Sequence, residues 1–250
     1  MIPVAKPFLN ASETTAVKKV VESGWITMGK KVELFEKRFC KKFKVKYAVA
    51  VNNGTSALHL AIKSMNLRKG DEVIIPNITF ISTINVLLYE GLTPVLVDCC
   101  PKNMNICFYK IKEKISKKTK AMICVDMNGL PSDYDKIKVF CKKYNLKLIA
   151  DSAESIGAKY KGNVIGSQAQ VHIFSFFANK NITTGEGGMI TTSSKSIYKK
   201  LKILRNQGQL KRYQHIMLGY NYRMTNIAAA IGLEQLKKVD KIVRYKNKIA

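Results

Sequence analysis

Short apolar segments alternate with amphipathic helical segments along most of the chain, beginning near residue 47. The apolar segments are rich in valine and isoleucine and have the length of β-strands. We predict strands at residues 47–51, 72–76, 94–98, 121–125, 146–150, 171–176 and 189–192. Helical periodicity predicts helices at residues 56–65, 79–89, 109–115, 134–144, 195–206 and 226–249.

Strands that are apolar throughout and alternate with helices are typical of a largely parallel sheet covered on both faces. The predicted fold class is therefore α/β. For the helix at 134–144 we predict a start capped by Ser132 and Asp135, behind Pro131. In such sheets ligands bind beyond the carboxyl ends of the strands, which tells us where to look for a site.

Polar, glycine-bearing or ionisable residues follow five of the predicted strands. Because the carboxyl ends of parallel strands lie at one edge of a sheet, we expect these segments to surround a common site. The segments are 52–56 (NNGTS), 76–80 (PNITF), 126–129 (DMNG), 151–154 (DSAE) and 175–180 (SFFANK).

The chain carries a formal net charge of +26. Its lysines are dispersed over predicted helix faces, whereas nucleic-acid-binding proteins usually cluster their basic residues. The sequence contains no zinc knuckle, helix-turn-helix or RNA-binding motif, so solvated helix faces explain most of the charge. The positive field would still attract an anionic substrate.

The six cysteines are scattered and have neither CxxC nor metal-binding spacing. We expect reduced, mostly buried thiols and a cytoplasmic protein. Residues 1–7 have no long apolar core, so we expect no signal peptide. His59 and His172 lie in apolar patterns, and we expect both to be packed or hydrogen-bonded.

Two strand ends carry chemistry that is ambiguous when each is taken alone. Asn53-Gly54-Thr55-Ser56 opens a helix, whose free backbone N–H groups and hydroxyls form a phosphate cup, although an ordinary capped turn has the same pattern. Asp151 ends a buried strand and needs a partner, either a protonated ring nitrogen or one of the many lysines.

A third segment, residues 174–189 (FSFFANKNITTGEGGM), places Lys180 among apolar residues. A lysine in such surroundings serves as a nucleophile or base. The following glycines allow a tight backbone turn. They precede a strand instead of a helix, which excludes a dinucleotide-binding loop.

Taken together, the segments resemble the nucleotide-sugar aminotransferases of pyridoxal-phosphate fold type I, the DegT/DnrJ/EryC1/StrS-type family. The resemblance runs from residues 23–30 (SGWITMGK) to 219–226 (GYNYRMTN). Within the family, the Lys180 segment with Lys211-Arg212-Tyr213 is most similar to the perosamine synthases. The resemblance implies a mostly parallel central sheet sandwiched by helices. It also implies a cofactor-binding large domain at residues 1–232. Residues 233–250 would then start a helix leading into a smaller C-terminal domain, and we expect this chain to be a fragment.

The resemblance also assigns roles to individual residues. Lys180 matches the Schiff-base lysine, and Asp151 matches the aspartate that keeps the pyridine nitrogen of pyridoxal 5′-phosphate protonated. Phe80 matches the aromatic residue that stacks on the ring. The remaining cofactor-binding positions are Gly54, Thr55 and Ser56 of the phosphate cup, Ser175, Glu154, and Asn221 reaching from a neighbouring subunit. Thr27 and His215 are candidate substrate contacts.

The implied reaction transfers an amino group from L-glutamate to a nucleotide-linked keto-6-deoxy sugar. The product would serve the synthesis of a polysaccharide or glycan, such as lipopolysaccharide O-antigen. The resemblance also implies a homodimer with shared active sites. GDP-4-keto-6-deoxymannose is the leading substrate, while UDP- and dTDP-linked 4-keto sugars remain open.

The sequence departs from the family pattern at two places. Asp126 and Asn128 stand where relatives have histidine and tyrosine, and Ala169-Gln170 replaces Gly-Asp. A degenerate cofactor-binding protein is therefore the main alternative. The intact Lys180 argues against it, and also against the related sugar dehydratases, in which histidine replaces this lysine.

Overall fold

The computed structural model describes residues 6–249 as three layers, with helices on both faces of a central sheet. The signal-peptide expectation falls largely on residues 1–5, which lie outside the described residues. The helices are α1 Ala11–Glu22, α2 Lys30–Phe43, α3 Gly54–Ser64, α4 Ser82–Tyr89, α5 Phe108–Ile111, α6 Tyr134–Lys143, α7 Lys195–Arg205 and α8 Asn226–Ile249. The strands are β1 Tyr47–Val51, β2 Glu72–Pro76, β3 Thr93–Val97, β4 Thr119–Val125, β5 Lys147–Asp151, β6 Lys159–Tyr160, β7 Asn163–Val164, β8 Val171–Ser175, β9 Gly188–Thr192, β10 Gln209–Lys211 and β11 Gln214–His215.

The central sheet has seven strands in the order β1-β9-β8-β5-β4-β2-β3. Strands β3, β2, β4, β5 and β8 pair in parallel, whereas β9 runs antiparallel to both of its neighbours, β8 and β1. The predicted α/β class with a mostly parallel sheet is confirmed. The crossovers bring the carboxyl ends of six strands to one edge, where the polar segments lie.

Two hydrophobic clusters hold the layers together, one on each face of the sheet. On one face α2, α6 and α8 pack through residues such as Phe35, Phe39 and Leu233. On the other face α3, α4 and α7 pack through residues such as Leu60 and Leu87. Burying both faces explains why the strands are apolar at nearly every position.

The start of α6 differs from the prediction. Its N-cap is Asp133, whose side chain accepts from the backbone N–H of Lys136 at 3.5 Å, so the predicted cap by Ser132 and Asp135 is wrong. Ser132 is fully buried, and its hydroxyl donates to the carbonyl of Val125 at 3.1 Å, which removes it from the helix end. Helix α4 also begins at Ser82, three residues later than predicted.

Both buried histidines are satisfied, as expected. His59 hydrogen-bonds to Glu90 at 2.7 Å and to the Tyr222 hydroxyl at 3.0 Å. His172 is fully buried, and burial lowers its pKa to about 3. Within residues 6–249, no helix is long and apolar enough to span a bilayer.

Helix α8 runs without interruption from Asn226 to Ile249. The proposed domain boundary at residue 232 therefore falls inside a continuous helix, which packs on both α1 and α2. The division into a cofactor-binding domain and the start of a second domain stays a prediction.

Candidate active site

A cavity of about 460 Å³ lies at the carboxyl edge of the sheet. The sequence-predicted residues that line it come from four separate segments: Gly54, Thr55, Phe80, Asp151, Glu154, Ser175 and Lys180. The structure therefore brings these strand ends together around one site, as expected, although Gly54 and Lys180 are more than a hundred positions apart in the chain.

One end of the cavity is formed by the N-terminus of α3. Asn53 caps this helix by accepting from the backbone N–H of Ser56 at 2.7 Å, which leaves the preceding N–H groups without intrahelical partners. A Cβ at Gly54 would lie 3.0 Å from Cβ of Ser175, so any larger residue would crowd the close approach of the helix start to β8. Helix N-termini of this kind bind phosphate.

Two hydroxyls complete this end of the cavity. The Thr55 hydroxyl contacts that of Ser82 at 2.7 Å, and Ser175 Oγ accepts from the backbone N–H of Phe177 at 3.3 Å. Ser82 lines the cavity although sequence reasoning assigned it only to a helix. Its position two residues after Phe80 gave no signal that could have distinguished it from a serine that only starts a helix.

Asp151 is the last residue of β5 and is almost completely buried. Two neutral donors reach its carboxylate, the Thr83 hydroxyl at 3.2 Å and the backbone N–H of Ala153 at 3.1 Å. Burial raises the pKa of Asp151 to about 6, and neighbouring Asp126 adds to the rise. A buried carboxylate held by neutral donors is suited to receive a cationic ligand atom.

Lys180 lies in the loop between β8 and β9, with its side chain largely buried. Its ammonium donates to Oε1 of Glu154 at 3.1 Å, and Oε2 of Glu154 accepts from the backbone N–H of Asn128 at 2.9 Å. The loop closes through Thr184, whose backbone N–H bonds to the Phe176 carbonyl at 3.0 Å. Lys180 and Glu154 thus face each other beside Asp151.

Phe80 borders the same cavity and is 74% exposed. An exposed aromatic ring beside a polar cavity offers a stacking surface for a planar ligand. Ser56 is buried behind the helix start and presents no lining atom of its own, so its contribution to the cup lies in the helix geometry.

Besides Ser56, three predicted residues do not line this cavity. Asn221 is exposed and accepts from Nε of Arg223 at 3.0 Å. Thr27 lies in the exposed loop before α2, where its carbonyl accepts from the backbone N–H of Asn226 at 3.1 Å. His215 belongs to the exposed β10–β11 hairpin, with Nδ1 2.8 Å from the Gln207 carbonyl. A single subunit therefore does not bring these side chains to Lys180.

A family model described as "DegT/DnrJ/EryC1/StrS aminotransferase family" matches residues 7–250. The chain belongs to this aminotransferase family. GDP-perosamine synthase of Escherichia coli O157:H7 is 43% identical over 252 residues, covering 100% of this chain and 69% of that protein. The chain thus spans about two thirds of the length of the relatives it matches.

Solved structures of the family superpose closely on the chain. A GDP-4-keto-6-deoxymannose-3-dehydratase with a trapped PLP-glutamate geminal diamine gives a TM-score of 0.92 at 31% identity, covering 96% of this chain and 69% of that chain. The dehydratase ColD, in a variant with bound GDP-perosamine, gives 0.94 at 30% identity, covering 99% and 71%.

The cofactor of this aminotransferase is pyridoxal phosphate, and the cavity fits it. The N-terminus of α3 offers N–H groups and hydroxyls to a phosphate, Asp151 offers a buried carboxylate to a ring nitrogen, and Lys180 offers an amine to an aldehyde. Gly54 keeps the phosphate end open, because a Cβ there would meet Ser175.

Proposed function

We propose that this aminotransferase transfers the amino group of L-glutamate to C4 of GDP-4-keto-6-deoxymannose, giving GDP-perosamine. The observation that carries the proposal is the arrangement of Lys180, Asp151 and the α3 N-terminus around one cavity, in a chain 43% identical to a GDP-perosamine synthase. UDP- and dTDP-linked 4-keto sugars are the alternative substrates.

Each cavity residue has a role that follows from its position. The α3 N-terminus with Thr55 and Ser175 anchors the cofactor phosphate, and Phe80 packs on the ring. Asp151 keeps the ring nitrogen protonated, since a buried carboxylate favours a cation at its side. When bound, pyridoxal phosphate supplies a ring that accepts the electron pair released at the substrate carbon.

Lys180 would hold the cofactor through its Nζ amine and, when that amine is free, would take up and return the proton at the reacting substrate carbon. Glu154 positions the Lys180 side chain, because its carboxylate accepts from the Lys180 ammonium at 3.1 Å and is itself fixed by the Asn128 backbone. The dispersed positive charge of the chain favours encounter with a diphosphate-bearing substrate.

We further propose that the enzyme is a homodimer in which Asn221 of one subunit contacts the cofactor phosphate in the other. Large apolar side chains near that segment and at the cavity rim are exposed in the single chain, including Leu218 at 79% and Tyr213 at 78%. A second copy would cover them. Thr27 and His215, which lie away from Lys180 of their own subunit, would then contact substrate bound to the partner.

We place the reaction in the cytoplasm, on the path to a surface polysaccharide such as O-antigen. The support for this location is that all six cysteines are free thiols, which suits a reducing compartment.

The test is an absorption titration of the purified protein with pyridoxal phosphate, followed by addition of L-glutamate. Wild type should develop a band above about 400 nm, characteristic of the lysine-bound cofactor, and glutamate should shift it to shorter wavelength. Lys180→Ala should lack the band. Lys147→Ala is the matched control, because Lys147 starts β5 at the edge of the sheet opposite the cavity, donates to the Met65 carbonyl there, and should behave as wild type.

Two outcomes would change the proposal. A band that glutamate does not shift would favour a cofactor-binding protein without aminotransferase turnover. Equal bands in wild type and Lys180→Ala would refute the role of Lys180. Incubation with glutamate and GDP-, UDP- or dTDP-linked 4-keto sugars, with mass detection of the amino sugar, identifies the nucleotide.

A further inference from the structure

Asp126 is a buried carboxylate that the cofactor site does not use directly. It follows β4, is completely buried, and accepts four different donors. The Tyr134 hydroxyl lies 2.9 Å from both carboxylate oxygens, and the backbone N–H of Ser132 lies 2.9 Å from Oδ1. The hydroxyls of Ser152 and Ser155 reach Oδ2 at 2.8 and 2.9 Å.

The direction of these hydrogen bonds can be read from His172. Its Nε2 lies 2.9 Å from the backbone N–H of Ala169, which can only donate, so Nε2 is unprotonated and the ring proton sits on Nδ1. Nδ1 therefore donates to Ser152 Oγ at 2.9 Å, and the Ser152 hydroxyl in turn donates its hydrogen bond to Asp126. The groups around Asp126 are thus oriented as hydrogen-bond donors, and the Asp126 carboxylate is their common acceptor.

This carboxylate holds the turn that carries the cofactor-facing acids. Of its two serine donors, Ser152 directly follows Asp151 and Ser155 directly follows Glu154. The main chain adds a link, because the Asp126 N–H donates to the Asp151 carbonyl at 2.9 Å. Side-chain and backbone bonds from one residue thus fix both ends of the turn 151–155.

We propose that Asp126 is a positioning residue, which holds the turn 151–155 so that Asp151 and Glu154 face the same cavity beside Lys180. The inference rests on the proposed cofactor site. It gives a physical role to the aspartate that replaces the histidine of relatives. In this chain the surrounding Tyr134, Ser152 and Ser155 hydroxyls are placed as donors to a carboxylate.

The experiment compares Asp126→Ala, Asp126→Asn and Ser155→Ala with wild type, measuring the Kd for pyridoxal phosphate and the visible circular dichroism of the bound cofactor. Asp126→Ala should raise the Kd about tenfold, because several buried donors lose their acceptor at once, and should change the dichroism. Asp126→Asn keeps the shape but replaces one acceptor oxygen by an N–H group that faces donors, so it should restore only part of the affinity.

The matched control is Ser132→Ala, which removes a buried hydroxyl bonded to the Val125 carbonyl and leaves the Asp126 carboxylate untouched. It should lower thermal stability without altering the Kd or the dichroism. If Asp126 had only a structural role, Asp126→Ala would likewise lower thermal stability and leave the Kd and the dichroism unchanged. Folded Asp126→Ala with wild-type Kd and dichroism would therefore overturn the inference.

Hydrogen exchange of the amides of residues 152–155 tests the same inference without cofactor. Exchange there should be faster in Asp126→Asn and Ser155→Ala than in wild type or Ser132→Ala, and unchanged exchange would contradict the positioning role. If wild type itself fails to bind pyridoxal phosphate, the proposed function fails, while the exchange result still decides whether Asp126 holds the turn.

Discussion

Asp151→Asn should stabilise the cofactor-free protein at neutral pH while impairing the cofactor site. Burial raises the pKa of Asp151 from 3.8 to about 6. Because the folded pKa is the higher one, stability is fully present below about pH 3.8 and is lost as the pH rises through about 6. Above that pH the ionised carboxylate costs about 3 kcal/mol, as an upper estimate from the shift.

The asparagine removes this charge and keeps nearly the same shape, with the Ala153 N–H still able to donate to its oxygen. At pH 7.5 the variant should unfold at a temperature higher than wild type by about 6–12 °C, the shift that about 3 kcal/mol produces in a chain of this size. At pH 4 the predicted difference falls to about 0.5 kcal/mol.

The measurement is thermal unfolding of cofactor-free wild type and Asp151→Asn between pH 4 and 8, repeated with saturating pyridoxal phosphate. Added cofactor should stabilise wild type more than the variant. The protonated ring nitrogen of the cofactor can pair with the charge of the Asp151 carboxylate, whereas the asparagine carries no charge. A stability difference that does not change with pH, or a variant that is less stable at pH 7.5, would refute this account of Asp151.

Three further predictions test other parts of the structure. Gly54→Val should weaken pyridoxal-phosphate binding at least about tenfold in a folded protein, because its side chain would meet Ser175; spectroscopic titration checks this. Arg205→Met should cost about 3–5 kcal/mol in urea unfolding, because it leaves the buried Glu36 carboxylate without its partner, and the double variant with Glu36→Leu should recover most of the loss. Leu218→Asp should convert the proposed homodimer to monomers in sedimentation experiments, and an unchanged dimer would exclude the exposed segment around Leu218 from the interface.

The central strands could be predicted closely, because both faces of the sheet are buried and each strand is apolar at nearly every position. Strand β1 has the predicted bounds, and β5 differs by one residue at each end. The short β6–β7 and β10–β11 hairpins were not predicted, since two or three polar residues carry no periodicity. Helix α6 shows the limit at element ends, where burial of Ser132 moved the cap to Asp133.

The candidate site divides in the same way. Lys180, Asp151 and Gly54 could be assigned from motifs, and the structure places them around one cavity. Thr83 and Ser82 could not, because hydroxyl residues at a helix start have the same pattern whether they cap a helix or contact a ligand. The role of Asp126 depends on Tyr134 and on serines that pack against it only in three dimensions.

The antiparallel strand β9 joins β1 to the rest of the sheet. This strand order determines how much of the chain must be synthesised before the sheet can form. Strand β1 pairs with β9 from a position about 140 residues earlier in the chain, a separation that makes loop closure slow relative to local contacts. During synthesis on the ribosome, β1 has no sheet partner until β9 has emerged. The phosphate end of the cavity begins just after β1, and Lys180 lies just before β9. A chain whose synthesis has not yet reached β9 therefore cannot bind the reactive aldehyde of the cofactor at this site.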